Sequence, residues 1–173
     1  LEYPPRVIRI NAVCPGTIES PVVSDVLDKG MLAMDDLLRD LPRLTKPDWT
    51  GATWPPLLLP ADTWDIVGGF SIEFSPGMYS DPDLSMKLWK LGCRHFLGVG
   101  NALVYHFSSR STKRIRHNQG RLQFLRKWGI SSSTFTRHVL HRGSPWTGAL
   151  PEPENDPAYR RQAWLDKCKR HIV

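Results

Sequence analysis

The chain has 173 residues, three cysteines and a net charge of +6. This length suits one domain, or a large piece of one, with a sizeable core. No apolar run is long enough to cross a bilayer and no signal-peptide pattern is present, so the sequence predicts neither. Because Cys14, Cys93 and Cys168 are odd in number and widely spaced, they match neither a zinc pattern nor a disulfide framework, and reduced thiols of a cytoplasmic protein are expected.

The charge is divided unevenly along the chain. Residues 1–83 carry 13 acidic and 6 basic side chains, whereas residues 84–142 carry 12 basic side chains and no acidic one. A chain that has an acidic first part followed by a basic part suits an anionic substrate such as a nucleotide diphosphate. Nucleic acid or an anionic membrane surface would also explain the asymmetry.

Residues 1–30 form an N-terminal segment with few structural signals. Arg6–Ile10 is short and β-like, and Pro15-Gly16 indicates a turn. The run Ile10–Pro21 resembles the segment after a late strand in short-chain dehydrogenases, but the glycine-rich dinucleotide turn and the Tyr-x-x-x-Lys pair of that family are missing. A chance match, a foreign N-terminal piece and a strand and loop of the domain itself all remain open.

The next segments predict a helix, a strand and a second helix. Met31–Leu41 has the apolar spacing of a short helix. In Trp49–Leu59 the two prolines exclude Pro55 and Pro56 from a central strand, so the strand is expected to begin near Leu57. Pro60 and Asp62 begin a short helix that ends at Gly68-Gly69. A core position and a ligand platform are equally good interpretations of Trp54.

The stretch Gly68–Trp89 places two carboxylates at the start of a helix. Asp81 is predicted to cap the helix, Pro82 suits its first turn, and Gly92 can end it. Asp83 lies in the first turn, where the helix dipole favours negative charge. The leucines on one side and Met86 and Trp89 on another predict a helix that is packed on both sides.

The rest of the chain predicts further strands, helices and a linker. Two short strands, Cys93–Gly98 and Ala102–Phe107, flank a turn at Gly100-Asn101. Ser108–Arg116 is a basic loop and Asn118–Gly129 a helix. A helix over Ser133–Leu140 and a proline-containing linker, Pro145–Pro157, come next. Ala158–His171 is a basic terminal helix that can dock on the domain, on a partner or on anionic lipid.

Four of these signals occur in an order that resembles a known family. They are Gly68-Gly69-Phe70, the Asp81-x-Asp83-Leu84 pattern, the strand end Val104–Phe107 and the FLRKW segment Phe124–Trp128. Together they resemble the catalytic half of an inverting family 2 glycosyltransferase of the GT-A fold, from about residue 36 to residue 140. Ser80 departs from the family, which usually has an acidic residue at that place.

The resemblance implies a fold, a set of domains and a function. The fold is the C-terminal part of a GT-A nucleotide-diphospho-sugar transferase, α/β with a mixed sheet flanked by helices, and it lacks the N-terminal nucleotide-binding half. Residues 31–142 would form the catalytic and acceptor half, 143–157 a linker and 158–173 a C-terminal helix. The implied function is transfer of a sugar from a nucleotide-diphospho-sugar to a hydroxyl acceptor, with inversion at the anomeric carbon. The implied setting is bacterial polysaccharide or glycan synthesis. A fragment without the donor-binding half is expected to be inactive.

The resemblance also implies the site residues. Asp81 matches the catalytic base and His106 a ligand of a divalent metal, Mn²⁺ or Mg²⁺, although a lone histidine on a strand is equally well explained as structural. The implied substrate-binding residues are Trp54, Gly68, Gly69, Asp83, Lys113, Arg114 and Arg116. For the two glycines a helix C-cap is a compatible structural interpretation, for Asp83 support of the helix start is preferred, and for each basic residue a solvated loop is the alternative.

The expected partners are a nucleotide-diphospho-sugar donor and a glycan or other hydroxyl acceptor. No nucleic acid is expected, and the location is the cytoplasm with peripheral contact at the inner face of the membrane. Two other functions stay open. A polyanion-binding module would use the basic half, and its binding would be salt-sensitive and independent of Asp81. A dehydrogenase remnant would bind a nicotinamide cofactor.

Overall fold

The computed structural model describes residues 42–43, 45–54, 56–75, 78–102 and 118–172. The predicted segment 1–30, the helix over 31–41 and the strand that ends near residue 107 lie outside this range. The described residues combine helices with a small sheet, which confirms the prediction of mixed α and β structure. The elements are β1 (Trp49–Thr50), α1 (Ala61–Val67), α2 (Ser80–Lys90), β2 (Leu97–Gly98), α3 (Gly120–Trp128), α4 (Ser132–Thr134) and α5 (Pro157–Ile172), with 3₁₀ turns at Ile72–Phe74 and Pro153–Asn155 and a π-helical turn at Phe135–Val139.

The sheet consists of two short antiparallel strands in the described part of the chain. Trp49 of β1 lies opposite Gly98 of β2. A side chain at Gly98 would meet the Trp49 ring, since a Cβ atom there would lie 2.4 Å from it. The predicted strand beginning near Leu57 is wrong: residues 57–60 have no regular structure. An apolar run flanked by prolines resembles a strand, but no described strand pairs with it.

Helix α2 begins two residues before the predicted position, at Ser80 instead of Pro82, and ends as predicted. Asp81 does not cap it, because the cap position is held by Tyr79, whose side chain makes no capping bond. At the other end the Gly92 N–H donates to the Trp89 carbonyl and the Cys93 N–H to the Leu88 carbonyl, at 3.0 Å each. These two bonds and the positive φ of 99° at Gly92 form a Schellman motif.

The core is built around α2 and the segment after α3. Leu84, Met86, Leu88 and Trp89 of α2 are buried on both sides of the helix, as the sequence predicts. Leu91 is an exception, with 45 % of its surface exposed. The buried cluster continues through residues outside α2, namely Leu59, Phe74, Phe96, Phe124, Ile130, Phe135, Val139 and Leu140.

The C-terminal helix docks on the domain. Tyr159 and Ala163 of α5 pack against the core, and Asp166 is fully buried. The predicted linker is also attached to the domain, because the Leu150 N–H donates to the Arg94 carbonyl at 2.8 Å and the Trp146 N–H to the Asp48 carbonyl at 3.1 Å. Within the described residues, no helix combines the length and the apolar character needed to span a bilayer.

Candidate functional site

A cavity of about 350 Å³ lies at the start of α2. Its wall combines a carboxylate, three hydroxyl-bearing side chains from α4 and the π-helical turn after it, and aromatic and cationic groups. The described lining residues are Trp54, Met78, Tyr79, Ser80, Asp81, Pro82, Ser132, Ser133, Thr136 and Arg142. A volume of this size accommodates a small polar ligand such as a sugar ring.

Asp81 supplies the carboxylate of this cavity. No hydrogen bond or ion pair to the carboxylate is found within the described part of the chain, although the backbone carbonyl of Asp81 accepts a hydrogen bond from the Thr53 hydroxyl at 2.5 Å. Burial raises the pKa of Asp81 to about 6. A carboxylate with this pKa is ionised near neutral pH and is more basic than an ordinary aspartate, which suits proton abstraction.

Trp54 shares the cavity with Asp81. Its side chain is 37 % exposed, so it is not a core aromatic. The Arg142 guanidinium lies 4.0 Å from the centre of one of its rings, a cation–π contact that holds the indole in place. This position supports the prediction of a ligand platform, because an aromatic wall packs against the apolar face of a sugar.

Asp83 lies two residues from Asp81 but in a different environment. Its side chain is fully buried and is not part of the cavity wall. One oxygen accepts from the Trp128 indole N–H at 2.7 Å and the other from the Ser71 hydroxyl at 2.6 Å. The Lys127 ammonium lies 2.8 Å from the carboxylate. These contacts agree with the preferred interpretation, support of the helix start, and the described geometry gives no support to a contact between Asp83 and substrate.

Gly68 and Gly69 end helix α1. Gly68 has a positive φ of 69° and its N–H donates to the Asp65 carbonyl at 3.2 Å, as a helix C-cap does. Gly69 has a φ of 59°, and a Cβ atom there would lie 2.6 Å from the Trp64 ring. The C-cap interpretation is confirmed, and neither glycine lines the Asp81 cavity.

His106, Lys113, Arg114 and Arg116 lie outside the described residues. Their predicted contacts with metal and diphosphate stay predictions. Across the described ranges, no group of three or more His, Cys, Asp or Glu side chains is arranged to hold a metal ion.

Several residues of the cavity were not predicted from the sequence. Tyr79 comes from a loop and Arg142 from the segment after the π-helical turn. The hydroxyls of Ser132 and Ser133 come from α4, and that of Thr136 from the π-helical turn itself. Serine and threonine in such a segment have no distinctive spacing, so no local pattern indicates them. Only the packing of α4 against the rest of the domain brings them to Asp81.

Comparisons of this chain with protein-family models, with curated proteins and with solved structures find no match. Any function of the cavity must therefore be inferred from its own residues.

Proposed function

We propose that the chain is the acceptor-binding and catalytic part of an inverting glycosyltransferase of the GT-A type, with Asp81 as the base. The observation that carries the proposal is the position of the Asp81 carboxylate, which lies without a protein partner among the described groups in a sugar-sized cavity beside Trp54. The proposed setting is glycan synthesis in the cytoplasm, at the inner face of a membrane.

The proposed reaction is a single displacement. The acceptor hydroxyl oxygen attacks the anomeric carbon of the donor sugar from the face opposite the nucleoside diphosphate. A new bond forms between carbon and the acceptor oxygen, the bond to the diphosphate oxygen breaks, and the configuration inverts. The proton of the hydroxyl passes to Asp81, and the electron pair leaves with the diphosphate.

One carboxylate is sufficient for this chemistry. A nucleoside diphosphate is a good leaving group and needs no acid catalyst, so the site needs a base but no second acid. Asp83 is not available for such a second role, since both of its oxygens are occupied by Ser71 and Trp128. The Arg142 guanidinium and the hydroxyls near α4 can orient the acceptor. A divalent metal would offset the charge of the diphosphate, but the described residues form no site for it.

The test is a comparison of the native gene product with its Asp81→Asn and Asp65→Asn variants. Release of nucleoside diphosphate is measured over a panel of nucleotide sugars and hydroxyl acceptors, with circular dichroism as the check on folding. We expect Asp81→Asn to lower kcat by about 10²–10⁴-fold, the usual contribution of a general base. Asp65 is an exposed carboxylate in α1, so its variant should keep the wild-type rate.

Two results would overturn the proposal. One is an Asp81→Asn variant that turns over at the wild-type rate. The other is a product in which NMR shows the anomeric configuration of the donor retained, because a single displacement at the anomeric carbon must invert it.

A further inference from the structure

A groove of about 440 Å³ lies beside strand β1, and we call it the β1 groove. Its described lining residues are Lys46, Pro47, Asp48, Trp49, Arg142, Gly143 and Pro145. Arg142 also lines the Asp81 cavity, so the groove and the cavity adjoin at this side chain. A ligand that extends out of the Asp81 cavity past Arg142 would therefore enter the β1 groove.

Backbone hydrogen bonds join the two sides of the β1 groove. The Thr50 N–H donates to the Ser144 carbonyl at 2.7 Å, and the Gly143 N–H donates to the Thr50 carbonyl at 2.8 Å. Because Gly143 follows Arg142 directly, these bonds hold the Arg142 backbone against β1, the strand that Lys46 precedes by a few residues. The two basic residues are therefore carried by segments that are attached to each other.

Each side of the groove carries one cation that is positioned by an indole ring. The Lys46 ammonium lies 4.6 Å from the centre of a Trp49 ring, and the Arg142 guanidinium lies 4.0 Å from the centre of a Trp54 ring. Among the described residues, neither cation forms an ion pair with a carboxylate. Both Lys46 and Arg142 are exposed, so a ligand in the groove can reach the two charged groups.

The charges of the lining favour an anionic ligand. Asp48 is the one carboxylate among the described lining residues, and its Oδ1 already accepts a hydrogen bond from the Gly100 N–H at 2.9 Å. Two cations and one carboxylate leave the groove with a net positive charge. The planar fork of an arginine matches the oxygens of a phosphate group, and a lysine adds a point charge. The lining therefore suits a phosphate-bearing ligand that reaches both Lys46 and Arg142.

We propose that the β1 groove binds the diphosphate of the sugar donor, with Arg142 at the junction with the Asp81 cavity. When the bond between the anomeric carbon and the diphosphate oxygen breaks, the electron pair stays on that oxygen, and the proton of the acceptor hydroxyl passes to Asp81. Lys46 and Arg142 offset the negative charge that develops on the diphosphate. This role in transfer rests on the proposed function, whereas the binding of a diphosphate by the two cations does not.

The test is titration calorimetry of the full chain with inorganic pyrophosphate. Lys46→Ala and Arg142→Gln each remove one cation of the groove, and Asp48→Asn removes its carboxylate. Lys167→Ala and Arg161→Gln are the matched controls, because they make the same changes of charge at exposed positions of α5. Thermal unfolding establishes that each variant is folded.

We expect Lys46→Ala and Arg142→Gln each to weaken pyrophosphate binding by about tenfold, the usual effect of losing a charge-assisted hydrogen bond. Asp48→Asn should bind pyrophosphate more tightly, because a repelling charge is removed, and the two controls should stay within about twofold of the wild type. The inference falls if the wild type does not bind pyrophosphate, or if the folded groove variants bind it as the wild type does. Equal weakening by the controls would also overturn it, since the attraction would then come from the basic chain as a whole.

The failure of this inference can be distinguished from failure of the proposed function. Pyrophosphate binding that depends on Lys46 and Arg142, without release of nucleoside diphosphate from any donor, would support the anion site and contradict the transferase proposal. Transfer that depends on Asp81, with Lys46→Ala and Arg142→Gln unchanged in both rate and pyrophosphate affinity, would support the transferase and contradict the role of the β1 groove.

Discussion

The hydroxyl of Thr53 donates a hydrogen bond of 2.5 Å to the backbone carbonyl of Asp81. Thr53 is buried, its N–H donates to the Ser85 hydroxyl at 3.1 Å, and its own hydroxyl lies 2.8 Å from the same oxygen. The segment after β1 is thereby joined to the first turn of α2. The backbone that carries the proposed base is fixed from outside its own helix, which is how a catalytic side chain is kept in position.

Thr53→Val should therefore destabilise the protein and displace the base. The substitution keeps the shape of the side chain but removes the hydroxyl, and loss of a buried hydrogen-bonded group costs about 1–3 kcal/mol. Urea unfolding measures this loss, with Thr63→Val in α1 as the control. A Thr53→Val protein with wild-type stability would show that the bond to Asp81 contributes little.

Asp83→Ala should lower the free energy of unfolding much more than a substitution near a helix end usually does. The change leaves the Trp128 indole N–H and the Lys127 ammonium without their buried acceptor, and breaking a buried charged pair costs about 3–5 kcal/mol. Equilibrium unfolding of Asp83→Ala and of the exposed control Asp65→Ala measures the difference. The control should stay within about 0.5 kcal/mol of wild type. A loss below about 1 kcal/mol for Asp83→Ala would contradict the anchoring role.

Asp81→Asn should make the protein more stable at neutral pH but not in acid. The pKa of Asp81 is about 6 in the folded protein, against an ordinary value of 3.8. Below pH 3.8 the carboxyl group is protonated in both the folded and the unfolded state, so the folded protein carries no buried charge at Asp81 and has its full stability. Between pH 3.8 and about 6 the unfolded state ionises first, so the stability of the wild type falls as the pH rises, and above pH 6 the lower value persists.

Asparagine cannot ionise, so the variant lacks this decline. At pH 7.5 its advantage should be on the order of 1 kcal/mol, after allowance for solvent screening of a partly exposed group and for the lost attraction to the helix dipole. Thermal unfolding of both proteins at pH 4 and at pH 7.5 measures it. Equal stabilities at pH 7.5 would mean that burial does not disfavour the Asp81 charge.

Trp54→Ala should weaken acceptor binding, and Trp164→Ala should not. Both tryptophans have exposed surface, but Trp54 lines the Asp81 cavity, whereas Trp164 is 62 % exposed on α5 and does not line that cavity. Loss of an aromatic platform should cost about 1 kcal/mol or more of binding energy, which is at least a fivefold change in Kd. Calorimetry with the tightest-binding sugar measures this change. Equal Kd values for wild type and Trp54→Ala would show that Trp54 is not a binding platform.

Helix ends were predictable from the sequence where glycine determines them. Gly68, Gly92 and Gly129 all follow the last turn of a helix with positive φ, and each is close to the last apolar residue of a periodic pattern. The start of α2 was not predictable, because Tyr79 holds the cap position in the left-handed conformation and without a capping side chain, whereas an N-cap is ordinarily an extended residue whose side chain accepts a hydrogen bond. Strand β2 forms the end of the predicted strand Cys93–Gly98, whereas β1 was missed because its two residues are too few for an alternating pattern.

The candidate site was predictable in part. Asp81 follows from the Asp-x-Asp-Leu pattern at a helix start, whereas for Trp54 the sequence left a core position and a ligand platform equally open. Arg142 and Ser132 could not be found, because their proximity to Asp81 depends on how α4 and the segment after it pack against the rest of the domain. Long-range packing of this kind leaves no signature in a short window of sequence.

The backbone of Tyr79 has a φ of 84°, an unfavourable value for a residue with a large side chain. Glycine would relieve the strain at the cost of a side chain that lines both the Asp81 cavity and a second cavity, between the start of α3 and α5. A side chain at residue 120 would clash with the backbone next to Tyr79, since a Cβ atom there would lie 2.4 Å from the Met78 carbonyl oxygen. A substitution at Tyr79 or Gly120 is therefore expected to change the shape of both cavities at once.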